Sequence, residues 1–83
     1  MTSAVHHDLK VWKRFFDVVN GGDKSFELRF DDRGFRVGDT LVLREWDDDM
    51  QRYTGRLTEK VVTYILAGPL FGLQEGFVAM AIK

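Results

Sequence analysis

The sequence predicts an α+β fold that is mainly β: a small mixed β-barrel of about five or six strands with one N-terminal amphipathic helix. Three observations lead there. Residues 11–20 carry apolar side chains at helical spacing. The rest of the chain breaks into short β-branched and aromatic runs separated by glycine and aspartate turns. A single helix cannot supply the crossovers of a doubly wound parallel sheet, so the strands must pair mostly antiparallel with the helix plugging one end.

Each element follows in chain order. His7 to Lys10 reads as a short first strand. In the helix, Val11, Phe15, Val18 and Val19 share a face that Trp12 and Phe16 widen, and Lys13, Arg14 and Asp17 lie opposite. Asn20-Gly21-Gly22 is the stop, because glycine takes the left-handed conformation that ends helices at little cost. Residues 25–30 alternate strictly. Phe26, Leu28 and Phe30 are expected to face the core, and Ser25, Glu27 and Arg29 the other side. Asp31-Asp32-Arg33-Gly34 and Val37-Gly38-Asp39 are turn chemistry, with Asp32 expected to bond backbone amides. The next strand, 40–46, places Leu41 and Leu43 on one face and Val42, Arg44 and Trp46 on the other. A hairpin loop at 47–51 leads through 52–55 to a β-branched strand at 56–66, which Ala67-Gly68-Pro69 ends. The last strand is 76–82, and Phe71, Leu73 and Phe77 are expected to pack on the helix.

With 83 residues the chain is one domain, 1–83, with its core over about 7–82. There is no cysteine, which excludes disulfides, cysteine-ligated metal and a cysteine nucleophile. The opening Met1-Thr2-Ser3-Ala4-Val5-His6-His7 lacks a basic segment followed by an apolar run, and no stretch is apolar enough to span a membrane. These features predict a cytoplasmic protein with no membrane partner. The net charge of −1 rules out coating nucleic acid by bulk charge, so any such binding must be local. Asp47-Asp48-Asp49 lacks calcium-loop spacing and reads as a solvated turn. His6 and His7 point to opposite sides of a strand, and no third ligand stands near them in sequence, so no metal site and no cofactor are predicted. Gly21-Gly22-Asp23-Lys24 follows a helix instead of preceding one, which gives the helix dipole the wrong sign for phosphate.

One set of residues resembles a known family. His7-x-Leu9-Lys10, Trp12, Phe15-Phe16, Val19, Gly22-x-Lys24-x-Phe26-Glu27-x-Arg29, Asp32-Arg33-x-Phe35-x-Val37-Gly38-Asp39, Leu41-x-Leu43-x-Glu45-Trp46-Asp47 and Tyr53-Thr54-Gly55-Arg56 look like the DUF3850 family of the ASCH and PUA-like superfamily. The resemblance runs from about His7 to Ile82. It implies a PUA-like, ASCH-type β-barrel, occurrence in bacteria or phages, and RNA binding. One branch of the superfamily hydrolyses N4-acetylcytidine with a lysine, a threonine and a glutamate. Its lysine matches Lys24, but its threonine falls on Glu27, and Ser25 is displaced from that position by two residues.

The candidate binding residues are therefore Lys24, Glu27, Arg29, Arg33, Arg44 and Trp46. Lys24, Arg29, Arg33 and Arg44 would supply positive charge to a phosphate or base edge. Glu27 would hydrogen-bond a base or ribose, and Trp46 would stack on a base. The competing structural reading makes Lys24, Glu27 and Arg29 an ion-pair brace and Trp46 a core residue. An enzymatic alternative casts Lys24 as the activating residue of an amidohydrolase acting on a modified nucleoside. A third reading is a protein-interaction adaptor of phage origin, presenting an apolar patch near Trp12, Phe16 or Phe71. The expected partner is RNA or a nucleotide-like ligand, and the chain is expected as a monomer or weak homodimer.

Overall fold

Five strands and one short helix organise the described residues, 4–83, of the computed structural model. The Met1-Thr2-Ser3 part of the leader-free reading lies outside them. In chain order the elements are β1 His6–Trp12, α1 Lys13–Asn20, β2 Phe26–Phe30, β3 Thr40–Asp47, β4 Arg52–Ala67 and β5 Phe77–Ile82. The strands form one sheet in the order β1-β3-β4-β5-β2. Only β1 and β3 run parallel; the other neighbours are antiparallel.

The sheet bends along β4. Its first half pairs with β3, from Asp47↔Arg52 to Thr40↔Val61, and its second half pairs with β5, from Val62↔Ile82 to Ala67↔Val78. Register shifts at Arg44/Trp46 and Val62/Tyr64 accompany the bend, as bulges locally increase strand twist. The two segments expected at 52–55 and 56–66 are thus one sixteen-residue strand.

One side of the bent sheet is the core. Leu9 and Val11 of β1, Leu41 and Leu43 of β3, Val62 of β4, and Val78, Met80 and Ile82 of β5 pack together under Phe16 and Val19 of α1. The start of β1 is tied down by Asp39. Its carboxylate lies 2.8 Å from His7 Nε2 and accepts the backbone N–H groups of Val5 and Arg36. Burial alone would raise this carboxyl's pKa, but the His7 hydrogen bond and the two amides outweigh it and hold it below the ordinary value.

Several sequence expectations are corrected. The helix is not N-terminal: β1 precedes it, and Val11 and Trp12 belong to that strand. In the helix itself only Phe16 and Val19 are buried. Gly21 stays right-handed, and Gly22, at φ 92°, makes the left-handed exit. Asp31, not Asp32, caps the following turn, accepting from the amides of Arg33, Gly34 and Phe35. Phe71 is 91% exposed instead of packed on the helix, and Phe77 meets Phe30 edge-on.

The expected barrel is an open sheet. Its edges, β1 and β2, share no backbone ladder. Arginine side chains reach β1 instead, one from β2 and one from the turn that follows it. Arg29 Nη2 donates to the Lys10 carbonyl at 2.6 Å, and Arg33 Nη1 donates to the Asp8 carbonyl at 3.1 Å.

The largest correction concerns β2. Phe26, Leu28 and Phe30 are the exposed face, and Glu27 is buried, 4% accessible. Register explains this. Glu27 lies opposite Met80 and Arg29 opposite Val78, both on the core side of β5, whereas Phe26 and Leu28 lie opposite Ala81 and Ala79 on the outer side. Alternation decides which residues share a face; pairing decides which face is inside.

Candidate functional site

The unclosed seam between the sheet edges opens into a cleft of about 430 Å³. Three elements build it. β1 contributes Lys10, Val11 and Trp12, α1 contributes Phe15, and the segment through β2 contributes Lys24, Phe26, Glu27, Leu28 and Arg29. The chain reaches Lys24 directly from the helix exit, where the Lys24 amide donates to the Val18 carbonyl at 2.9 Å.

Glu27 is the pivot of the cleft. Its Oε1 accepts from Lys24 Nζ at 3.3 Å and its Oε2 from Arg29 Nε at 3.0 Å. Arg29 continues to the Lys10 carbonyl, so a single side chain joins the buried carboxylate to the opposite sheet edge. Lys24 Nζ also donates to the Phe26 carbonyl and lies 4.8 Å from the Phe26 ring centroid. Three cations (Lys10, Lys24, Arg29) against one carboxylate give the lining a net charge of +2. Aromatic walls flank this charge: Trp12 and Phe15 stack nearly parallel, 15° apart, and Arg14 covers both rings. Cations beside flat apolar rings suit a planar ligand that carries negative charge.

The predicted residues divide into three groups. Lys24, Glu27 and Arg29 converge on the cleft. Arg33 straps the seam beside it through the Asp8 carbonyl. Arg44 and Trp46 lie on the outer face of β3, where Arg44 Nε stands 3.5 Å from Asp8 Oδ1 and Trp46 contacts Tyr53 edge-on. Lys10 links the two places: it lines the cleft, and its ammonium sits 3.8 Å above the Trp46 ring.

A second polar cluster joins α1 to the β3–β4 hairpin. Buried Glu45 accepts from Thr54 Oγ1 at 2.6 Å and from Arg56 Nη1 at 3.3 Å, and Arg56 Nη2 donates to Asp17 at 2.7 Å. The Asp17 hydrogen bond, with the charges of Glu45 and Asp17, raises the Arg56 pKa. Every member is partnered, so this cluster braces the helix. The acidic run is a turn, as its composition suggested: Asp47 Oδ1 accepts the Asp49 and Met50 amides. Among the described residues, no group of three His, Asp or Glu side chains is disposed to hold a metal ion.

The model for a domain of unknown function, DUF3850, matches residues 6–82. The chain belongs to the DUF3850 family. It is also similar to an uncharacterized 12.9 kDa protein in the GpA 3' region of Escherichia phage P2, at 40% identity over 57 residues. That match covers 69% of this chain and 50% of the phage protein, so the chain spans about half the length of the curated relative it matches. Within this DUF3850 chain, sequence reasoning missed Lys10, Trp12, Phe15 and Phe26 as cleft residues. Lys10 and Trp12 alternate with buried Leu9 and Val11, and that spacing is the signal that would have put them on an outer edge.

Proposed function

We propose that this protein is a small binding module for RNA or a nucleotide-like ligand, with the seam between β1, α1 and β2 as its site. The observation that carries the reading is the pairing of Lys10, Lys24 and Arg29 with Trp12, Phe15 and Phe26 in one open cleft. A base would stack on the exposed rings. The ammonium groups would meet phosphate, and Glu27, already orienting Lys24 and Arg29, would accept from a ribose hydroxyl or base N–H. A strand leaving the cleft across Lys10 would reach Trp46 and Arg44, so these two would serve a flanking nucleotide. The resemblance to the ASCH and PUA-like superfamily supports the same ligand class.

Binding is favoured over hydrolysis of a modified nucleoside because, among the described residues, no serine, threonine or tyrosine lines the cleft beside Lys24. Binding of short single-stranded RNA, measured as a function of salt for wild type and Lys24→Ala, tests the reading. The expected result is measurable affinity at low salt, weakened by Lys24→Ala, with a salt slope shallower by about 1. No binding at low salt, or binding indifferent to Lys24, defeats it. Release of acetate from N4-acetylcytidine would instead favour the hydrolase.

A further inference from the structure

The outer face of β4, β5 and β2 is a second surface, which shares Phe26 and Leu28 with the cleft. Register aligns its residues in rows: Tyr64, Ala81 and Phe26 in one, Leu66, Ala79 and Leu28 in the next, and Phe77 with Phe30 in the third. None is charged. The middle strand, Phe77-Val78-Ala79-Met80-Ala81-Ile82, reads apolar on both faces without alternation, the pattern of a strand covered on both sides. In the single chain only one side is covered, because Leu28, Phe30 and Tyr64 are each more than half exposed.

The loop closing this face carries both a knob and a hole. Phe71 is held at φ 48°, a left-handed conformation that costs a non-glycine residue energy, and its side chain is 91% exposed. Beside it is a groove of about 220 Å³ lined by Leu28, Gly72, Leu73, Gln74 and Phe77. A dry cavity of about 150 Å³ holds benzene, so this groove has room for a phenyl ring.

We propose that this face is the interface of a twofold homodimer, in which Phe71 of each copy seats in the Leu28–Phe77 groove of the other. An isologous contact requires a patch that complements itself, and a knob and a hole on one uncharged patch meet that requirement. The area is in the right range. At roughly 200 Å² per large side chain, the exposed parts of Leu28, Phe30, Tyr64 and Phe71 come to about 530 Å² per copy, against about 800 Å² per partner for a standard interface including its polar rim. An apolar patch of this size lies toward the upper end of what a typical monomer leaves open to water, about 300–600 Å². The surface adjoins the cleft at Phe26 and Leu28, and Lys24 and Arg29 lie outside it.

Sedimentation velocity from micromolar to near-millimolar protein tests this with wild type, Phe71→Asp, Leu28→Glu and, as an off-face control, Val37→Glu. Because Phe71 is almost wholly exposed within one chain, Phe71→Asp should keep the wild-type far-UV spectrum. The expected result is that wild type and Val37→Glu reach twice the monomer mass as concentration rises, while Phe71→Asp and Leu28→Glu stay at the monomer mass. A monomeric wild type across the range overturns the proposal. So does a dimer that persists in Phe71→Asp.

Discussion

Glu27→Gln removes a charge from the cleft while keeping its shape, and the structure gives the size of the effect. The carboxylate is 4% exposed and accepts from Lys24 at 3.3 Å and Arg29 at 3.0 Å. Stripping one partner from a fully buried ion pair costs about 3–5 kcal/mol. Here the two cations keep 25% and 28% of their side chains exposed, so water screens the charge left behind. The glutamine carbonyl still accepts one of the two hydrogen bonds. About 1–2 kcal/mol is therefore the expected loss, between the value of one charge-assisted bond and that of a fully buried pair. For a domain of this size that lowers Tm by roughly 5–15 °C. Thermal unfolding at neutral pH reads it, and double-mutant cycles with Arg29→Met and Lys24→Met apportion it. Coupling to Arg29 should exceed coupling to Lys24, because the Arg29 bond is shorter and its guanidinium is anchored again on the Lys10 carbonyl. An unchanged Tm, or zero coupling to Arg29, would falsify the view that Glu27 organises the seam.

Three further outcomes are expected. Asp39 has a folded-state pKa below its ordinary value, so its contribution is fully present above the unfolded value of about 3.9 and is lost as pH falls through the lower folded value. Asp39→Asn should accordingly be less stable than wild type at neutral pH, with a deficit that shrinks on acidification below about pH 4; a deficit constant with pH in urea titrations contradicts this. Gly68→Ala would drive a Cβ into the carbonyl oxygens of Leu73 and Gln74, and a loss of about 1–3 kcal/mol in chemical unfolding is expected. Wild-type stability in that variant would mean the β4–β5 connection yields easily. Met80→Ala empties a fully buried site at the centre of β5 and should cost about 2–5 kcal/mol, with no cost indicating that the core collapses around the gap.

Local structure was legible in the sequence because it follows from short-range rules. All five strands were expected, and their turns carry the glycines and aspartates that predicted them: Gly38 is left-handed at φ 96°, and Asp47 caps its own loop. Lys24, Glu27 and Arg29, grouped in the sequence, also meet in the structure, because period-two spacing puts Glu27 and Arg29 on one face. What was not legible depends on pairing. The choice of inside for β2 is made by Met80 and Val78, fifty residues or so along the chain. The cleft's far wall comes from β1, which is joined to β2 by the Arg29 side chain and to the turn after β2 by Arg33. Trp46 shares a face with Arg44, as predicted, but that face turns away from the cleft interior, and Lys10 spans the two.

The inversion of β2 follows from its position at the sheet edge. An edge strand with an apolar inner face beside an open seam would expose that face to water through the gap. Placing Glu27 and Arg29 inward fills the seam with groups that water can solvate and that bridge to β1 by hydrogen bonds. The same choice turns Phe26, Leu28 and Phe30 outward, because a strand cannot present polar side chains on one face without presenting its alternate residues on the other. A polar seam and an apolar outer face are therefore two consequences of one register. A substitution that slides β2 by one residue along β5 would exchange them together, burying the phenylalanines and expelling Glu27.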